Sequence, residues 1–165
     1  MKDQGFFIDY HVWAHKKVLQ QLPDLTAEDW NKQLGGSFPT MKVLYQHIIE
    51  ADYRWLQRWK GVPFAEIPPE LVADGYVSLR TLWLPLLEEQ ISETKRRLAA
   101  DAEEPVHFIT GKGLHVTQPF WQTLYQVVNH GTYHRGQVAN MLRMLDRQAV
   151  GTDIFLFFRE FFPIS

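Results

Sequence analysis

The segment that decides the fold is Pro119–Leu145, which reads PFWQTLYQVVNHGTYHRGQVANMLRML. Apolar residues recur along it at steps of three and four, which is the spacing of one face of an α-helix. That stripe comprises Phe120, Leu124, Val127, Val138, Met141 and Leu145, with His134 among them. The spacing therefore predicts a long helix that buries one face and carries a histidine on that face.

Further elements are predicted N-terminal and C-terminal to this segment. They are a helix from about Asp3 to Leu22, a turn of helix around Ala27–Lys32 capped by Thr26, a helix opened by Pro39 and Thr40 and ended by Gly61, a loop over Val62–Gly75, a helix from Ser78 to about Ala100, a hairpin over Val106–Thr117, and a short helix capped by Thr152 or Asp153. Pro85 is expected to kink its helix, or the helix starts later. The C-terminal helix is apolar on all sides, so we expect it to be buried against the bundle or a second subunit.

These elements predict an all-α fold in a single domain over residues 1–165. Four long helices joined with one long crossover loop make a four-helix bundle. A short β-hairpin precedes the last long helix, and a short C-terminal helix follows it.

Composition excludes several classes of function. The chain of 165 residues has 17 Lys and Arg, 19 Asp and Glu, and a net charge of −2, which argues against a nucleic-acid partner. It has no cysteine, so any metal must be bound by His, Asp or Glu. No apolar stretch is long enough to span a membrane, and no apolar signal core follows Met1, so a cytoplasmic protein is expected.

Three of the seven histidines form the candidate site. His130 and His134 are four residues apart, which places both imidazoles on one face of the helix. His47 lies on the apolar face of the second long helix, between Leu44 and Ala51, and would supply a third nitrogen. Three neutral imidazoles suit zinc or another late divalent metal. From the spacing alone, a metal site and ordinary packing remain equally open.

Other features of these helices also leave two interpretations open. Gly131 and Gly136 each cost a helix about 1 kcal/mol relative to alanine, which close packing or room at a site would explain. His11 either flanks the core or reaches the site, whereas His15 is expected to be exposed. His107 and His115 are expected at the surface of the hairpin.

The sequence resembles the DinB/YfiT-like family along nearly its whole length. The residues that carry the resemblance are Tyr10–His15 (YHVWAH), Gly36–Thr40 (GSFPT), His47–Ala51 (HIIEA) with Trp55 after it, Asn129–Val138 (NHGTYHRGQV) with Leu142–Arg143 after it, and Thr152–Asp153. The resemblance implies a four-helix bundle with one divalent ion, typically zinc or nickel, bound by His47, His130 and His134. It also implies a homodimer for many members.

The resemblance further implies an enzyme that transfers a low-molecular-weight thiol, such as bacillithiol, mycothiol or glutathione, to a small-molecule electrophile. Tyr133, Glu50 and Arg135 are candidate catalytic residues. Glu50, Asn129 and Gln137 are candidates for orienting the metal ligands, and Arg135 and Arg54 are candidates for binding a carboxylate of the thiol. Trp55, Trp59 and Trp121 are candidate pocket walls with Tyr133. Three alternatives stay open: a metal-dependent hydrolase of a small amide or ester, a non-catalytic metal-binding or ligand-binding bundle, and a purely structural bundle.

Overall fold

The structure, a computed structural model, describes residues 5–163. Its elements are α1 (Phe6–Leu19), α2 (Ala27–Asn31), α3 (Met41–Trp59), α4 (Tyr76–Ala100), β1 (Pro105–Ile109), β2 (His115–Pro119), α5 (Phe120–Met144) and α6 (Ile154–Phe161). Each of the four long helices α1, α3, α4 and α5 packs against two others, α1 against α4 and α5, and α3 against the same pair. This is the four-helix bundle that the periodicity predicts. None of the described helices is long and apolar enough to cross a membrane.

Large aromatic side chains fill the core, and the indole N–H groups of its tryptophans Trp30, Trp59 and Trp83 are paired. Trp30, Trp59, Trp83, Tyr45 and Phe120 are almost completely buried. The indole N–H of Trp59 donates to Thr123 Oγ1 at 2.9 Å, and that of Trp83 donates to Asp52 Oδ2 at 2.7 Å. A buried indole needs such a partner, because an unpaired polar group in the core is costly. The Trp83 bond joins α4 to α3.

Side-chain caps close the starts of α2 and α3, whereas α6 begins after Asp153 without the predicted side-chain cap. Thr26 and Asp29 form the expected reciprocal cap of α2. α4 begins at Tyr76, two residues before the predicted Ser78, because the Ser78 hydroxyl accepts a hydrogen bond from the Gly75 N–H at 3.1 Å and closes the preceding turn. The helix continues through Pro85, so the predicted later start is wrong.

The first helix ends earlier than its apolar stripe indicates. α1 ends at Leu19, and the chain leaves it through turns in which the Gln21 and Leu22 N–H groups bond to Val18 and Leu19. Leu22 is still buried, so it continues the apolar face without being helical. The predicted start at Asp3 lies outside the described residues.

The hairpin and the crossover loop are where the sequence predicts them. β1 and β2 pair antiparallel, with Phe108 opposite Val116. The Ile109 N–H donates to the carbonyl of Pro63 at 3.0 Å, which attaches the crossover loop to the hairpin. No helix forms over residues 62–75. The hairpin contacts α3 and α5 and places the start of α5 directly after β2.

The C-terminal helix is expected to be buried against the bundle or a second subunit, and within this chain the bundle covers only one of its faces. α6 packs on α1 through Phe157, whose ring contacts Tyr10 and Trp13 edge-on. Its other aromatic residues, Phe155, Phe158 and Phe161, and the following Phe162 are exposed in this chain. A helix of eight residues on the outside of a bundle meets one neighbour, so only one of its faces is covered.

Candidate metal centre

Three histidines converge between α3 and α5. The Nε2 atom of His130 lies 3.2 Å from His47 Nε2 and 3.0 Å from His134 Nε2. One ligand atom from each of the three lies within 4.8 Å of the other two, and these residues could hold a metal ion. Their positions follow from the sequence, since the i, i+4 pair occupies one side of α5 and His47 faces it from α3. The structure therefore brings together all three histidines that the sequence singles out.

The separations fit a divalent metal of the zinc type. Tetrahedral coordination at Zn–N distances of about 2.0–2.1 Å requires ligand nitrogens about 3.3 Å apart. The two Nε2 separations, 3.2 and 3.0 Å, are close to that value. No carboxylate belongs to this group. An ion bound here would therefore keep its full positive charge, with part of its coordination shell open to other ligands.

A neighbouring amide sets the proton position on His134. Gln137, one turn further along α5, places Oε1 2.7 Å from His134 Nδ1. An amide oxygen only accepts, so Nδ1 donates its proton to it, and Nε2 is left with a lone pair directed at His130 and His47. A hydrogen bond of this kind on the distal nitrogen is what orients metal-binding imidazoles. Gln137 therefore supports the metal-binding tautomer of His134.

Burial keeps the three imidazoles neutral. The pKa of His130 is lowered to about 4, chiefly by burial and in smaller part by the neighbouring His134. Burial also lowers the pKa of His47 and of His134. A neutral imidazole binds metal through its free lone pair. The three histidines are therefore in the metal-binding form at neutral pH.

Two of the candidate catalytic residues lie beside these histidines. The ring of Tyr133 is 5.1 Å from the His134 ring, and Tyr133 is 63% exposed, so its hydroxyl is free to meet a ligand. Glu50 lies one turn after His47, accepts a hydrogen bond from Gln46 at 2.9 Å and is 3.6 Å from Arg54.

Aromatic rings surround the site less completely than the sequence suggests. Phe38 packs against the rings of His47 and His134, at centroid distances of 4.8 and 5.4 Å. Of the four residues expected to line a pocket, Tyr133 alone has a ring contact with these histidines among the described residues. Trp55, Trp59 and Trp121 pack on Phe108, Phe120 and Tyr125.

Arg135, the third catalytic candidate, has a structural environment. It is 3% exposed, and its guanidinium donates to the Tyr10 hydroxyl at 3.1 Å and to Thr132 Oγ1 at 2.9 Å. A further nitrogen lies 3.3 Å from His15 Nε2. These contacts join α5 to α1, so we assign Arg135 to this helix interface rather than to ligand binding.

A second group of potential ligands lies deeper in the bundle. His11 and His15 of α1 and Asp52 of α3 are all buried, and their ligand atoms also lie within 4.8 Å of one another. His11 Nε2 is 3.8 Å from Asp52 Oδ1, which is too long for a hydrogen bond. Burial lowers the pKa of both histidines. The prediction that His15 is exposed is wrong, because Trp83 and Arg135 cover its ring.

The charges favour the first group as the metal centre. In the second group, a guanidinium nitrogen of Arg135 lies 3.3 Å from His15 Nε2, so a cation already adjoins these ligand atoms. A divalent ion there would add positive charge to a buried site that holds a cation, and burial makes such repulsion costly. Burial lowers the pKa of His130 and of His134, and the negative charge of Asp52 offsets part of that lowering, so this charge also acts at the first group.

Sequence reasoning missed Asp52, although a signal for it exists. Asp52 follows Ile48 by four residues and precedes Trp55 by three, which places it on the buried face of α3. A carboxylate on such a face needs a partner inside the bundle. The partner, Trp83 of α4, is distant in sequence.

His107 and His115 lie on the exposed hairpin, as predicted. His107 Nδ1 is 2.8 Å from the Thr117 hydroxyl across the two strands. Neither residue belongs to either group of potential ligands. They therefore provide surface histidines against which changes at the buried histidines can be compared.

The sequence and the fold of this chain are both similar to those of known proteins. The sequence model of the DinB family matches residues 1–160. The chain is 24% identical over 165 residues to Protein DinB of Bacillus subtilis (strain 168), and the match covers 95% of each chain. A crystal structure of a DinB-like protein from Bacillus cereus ATCC 10987 superposes with a TM-score of 0.66 at 18% identity, covering 87% of this chain and 91% of that one. That likeness supports the fold.

Proposed function

Because this chain belongs to the DinB family, we propose that His47, His130 and His134 bind one divalent ion, zinc or nickel, in an enzyme that transfers a low-molecular-weight thiol to a small electrophile. The observation that carries the proposal is the convergence of three Nε2 atoms, with the lone pair of His134 directed inward by Gln137. The chain has no cysteine, so the sulfur comes from a cosubstrate.

The chemistry at this centre is a nucleophilic substitution. When bound, a divalent ion supplies positive charge that lowers the pKa of a thiol brought next to it. The thiol releases its proton to solvent, its sulfur forms a bond to an electrophilic carbon, and the bond from that carbon to a halide breaks, with the electron pair leaving on the halide. Atoms and charge balance without an oxidant or reductant.

The residues around the histidines have defined parts in this proposal. Gln137 holds the His134 imidazole in its tautomer and orientation. Phe38 packs against His47 and His134 and excludes water from that side. The exposed hydroxyl of Tyr133 is positioned to hydrogen-bond to substrate. Arg54, paired with Glu50, offers a half-exposed cation for a carboxylate of the thiol.

Metal content is the first test. The protein, purified without a nickel column, is expected to contain about one equivalent of zinc or nickel per chain. The His130→Ala variant should lose this metal, whereas His107→Ala, which removes a surface histidine of the hairpin, should keep it. Metal retained in full by His130→Ala would refute the assignment.

Turnover is the second test. The metal-loaded protein is incubated with 1-chloro-2,4-dinitrobenzene and each of bacillithiol, mycothiol and glutathione, and the thioether product is measured. Product that depends on both thiol and metal supports the transferase. Hydrolysis of a small ester without any thiol would instead support a metal-dependent hydrolase. Metal binding without turnover of either kind would leave a non-catalytic binding protein.

We also propose that the protein is a homodimer. The exposed phenylalanines of α6 and of the residue after it, Phe155, Phe158, Phe161 and Phe162, support this, because large aromatic side chains grouped on one surface favour association. Size-exclusion chromatography with light scattering should give twice the chain mass. A monomer at micromolar concentration would contradict this part of the proposal.

A further inference from the structure

A cleft adjoins the histidine centre on the side of His134. It lies between the loop at residues 34–38 and the C-terminal half of α5, and its volume is about 510 Å³. Phe38, Tyr133 and Gln137 line it, and these three residues contact the rings or the Nδ1 atom of the histidines. That volume is within the range of small-molecule sites, about 300–1,000 Å³.

The cleft wall carries no formal charge. Among the residues that the structure describes, those lining this cleft include no Asp, Glu, Lys, Arg or His. The wall combines polarizable groups, from Phe38, Met141 and Met144, with the neutral polar side chains of Ser37 and Asn140. Methionine sulfur and aromatic rings interact well with aromatic ligands. An ionised group has no partner among the residues of this wall, and leaving its solvation shell would be unfavourable.

From this we infer that the cleft binds the electrophile and that it selects an uncharged, polarizable body such as an aromatic ring. The inference rests on the proposed function and names its substrate class. Glutathione and bacillithiol carry carboxylates, which suit the Arg54 side of the centre better than this wall. The two substrates would then approach the histidines from different sides, with the electrophilic carbon held near the thiol sulfur.

The loop at the mouth of the cleft keeps it open. Gly35 and Gly36 have φ values of +81° and +77°, a left-handed conformation that residues with a Cβ rarely adopt. A Cβ at either position would meet nothing within 4 Å. Glycine is therefore favoured here by the backbone conformation of the turn and not by close packing. The turn brings Phe38 onto the histidines and leaves the cleft entrance without side chains at these two positions.

A pair of unreactive ligands tests the charge selectivity without any thiol. 1,3-Dinitrobenzene and 3,5-dinitrobenzoate differ by one carboxylate, and neither carries a leaving group. Equilibrium dialysis against the metal-free protein, in which no ion can coordinate the carboxylate, should give a Kd for dinitrobenzene at least about tenfold lower than that for dinitrobenzoate at neutral pH.

A single added charge should change that preference. Met144 lines the cleft in the last turn of α5 and is partly exposed, so Met144→Lys is accommodated there and places a cation in the wall. This variant should lower the preference for dinitrobenzene at least about threefold. Gln126→Lys adds the same charge at an exposed position of α5 outside the cleft and should leave the preference unchanged. Circular dichroism and metal content establish that both variants fold.

Equal binding of the two ligands by the wild-type protein would overturn the inference, as would a preference that Met144→Lys does not alter. Failure of the proposed function has a different signature. If dinitrobenzene binds selectively and Met144→Lys reduces that selectivity, but no thiol is transferred, the cleft assignment stands and the transferase does not.

Discussion

The imidazole of His11 occupies the space in which a Cβ on Gly131 would stand. A Cβ built at that position would lie 2.6 Å from His11 Cε1 and 2.8 Å from His15 Nε2. α1 and α5 therefore approach closely beside His130, and the two α1 histidines lie against the backbone of α5. Of the two explanations that the sequence leaves open for Gly131, close packing is the one found.

This relationship predicts opposite effects for two glycine substitutions on one helix. Gly131→Ala should lower the free energy of unfolding by about 1–3 kcal/mol, because the overlap with two buried rings outweighs the gain in helix propensity. Gly136→Ala, where a Cβ meets nothing within 4 Å, should raise it by up to about 1 kcal/mol. Urea denaturation of both metal-free variants measures the difference. Stabilisation by both substitutions would contradict the packing assigned to Gly131.

The hydrogen bond from His134 Nδ1 to Gln137 predicts that metal affinity depends on a hydrogen-bond acceptor at position 137 and not on the volume of that side chain. Gln137→Leu removes the oxygen that receives the His134 Nδ1 proton, so zinc affinity should fall about 10–100-fold. Gln137→Glu keeps an acceptor at this position and should retain wild-type affinity or exceed it. Competition with a zinc chelator measures both affinities. Similar values for leucine and glutamate would show that the tautomer is held in another way.

Buried neutral histidines predict that the metal-free protein loses stability in acid. The folded-state pKa of His15 lies well below 6.5 because of burial, and that of His11 is also lowered. The unfolded chain therefore binds more protons as pH falls below about 6.5, which favours unfolding. This loss begins at the unfolded-state pKa and levels off only below the folded-state values.

Denaturation series between about pH 7.5 and about pH 5 should show this decline in the free energy of unfolding. His15→Asn removes one of the buried titrating groups and should make the decline shallower. His107→Asn, at the exposed hairpin, serves as the control and should leave the slope unchanged. An equal slope in all three proteins would exclude His15 as a source of the acid sensitivity.

The one-sided packing of α6 predicts unequal effects for its phenylalanines. Phe157→Ala removes a buried ring between Tyr10 and Trp13 and should cost about 3–5 kcal/mol of stability. Phe155→Ala, at a residue exposed within this chain, should change the stability of the monomer by no more than about 0.5 kcal/mol. Thermal unfolding at low protein concentration provides the comparison. A large cost at Phe155 would mean that this ring is covered in solution.

Local patterns predicted most of the helices, the hairpin and the three histidines of the centre. Helical periodicity depends on residues three and four apart, so Pro119–Leu145 could be assigned to a helix, and His130 and His134 to one face, without knowledge of any other segment. The element boundaries shifted where side chains bond to the backbone, as at Ser78. Such a bond depends on conformations that a periodic pattern does not describe.

What the sequence by itself determined is the type of each long element and the three histidines, His47, His130 and His134, that meet between α3 and α5. Only the tertiary structure decided that Arg135 joins two helices, that His15 is buried, that Asp52 is paired with Trp83, and that most of α6 remains exposed. Each of these depends on which helix lies opposite. The physical reason is that burial and electrostatic partnership arise between residues distant in the chain, whereas periodicity reports only how one segment folds.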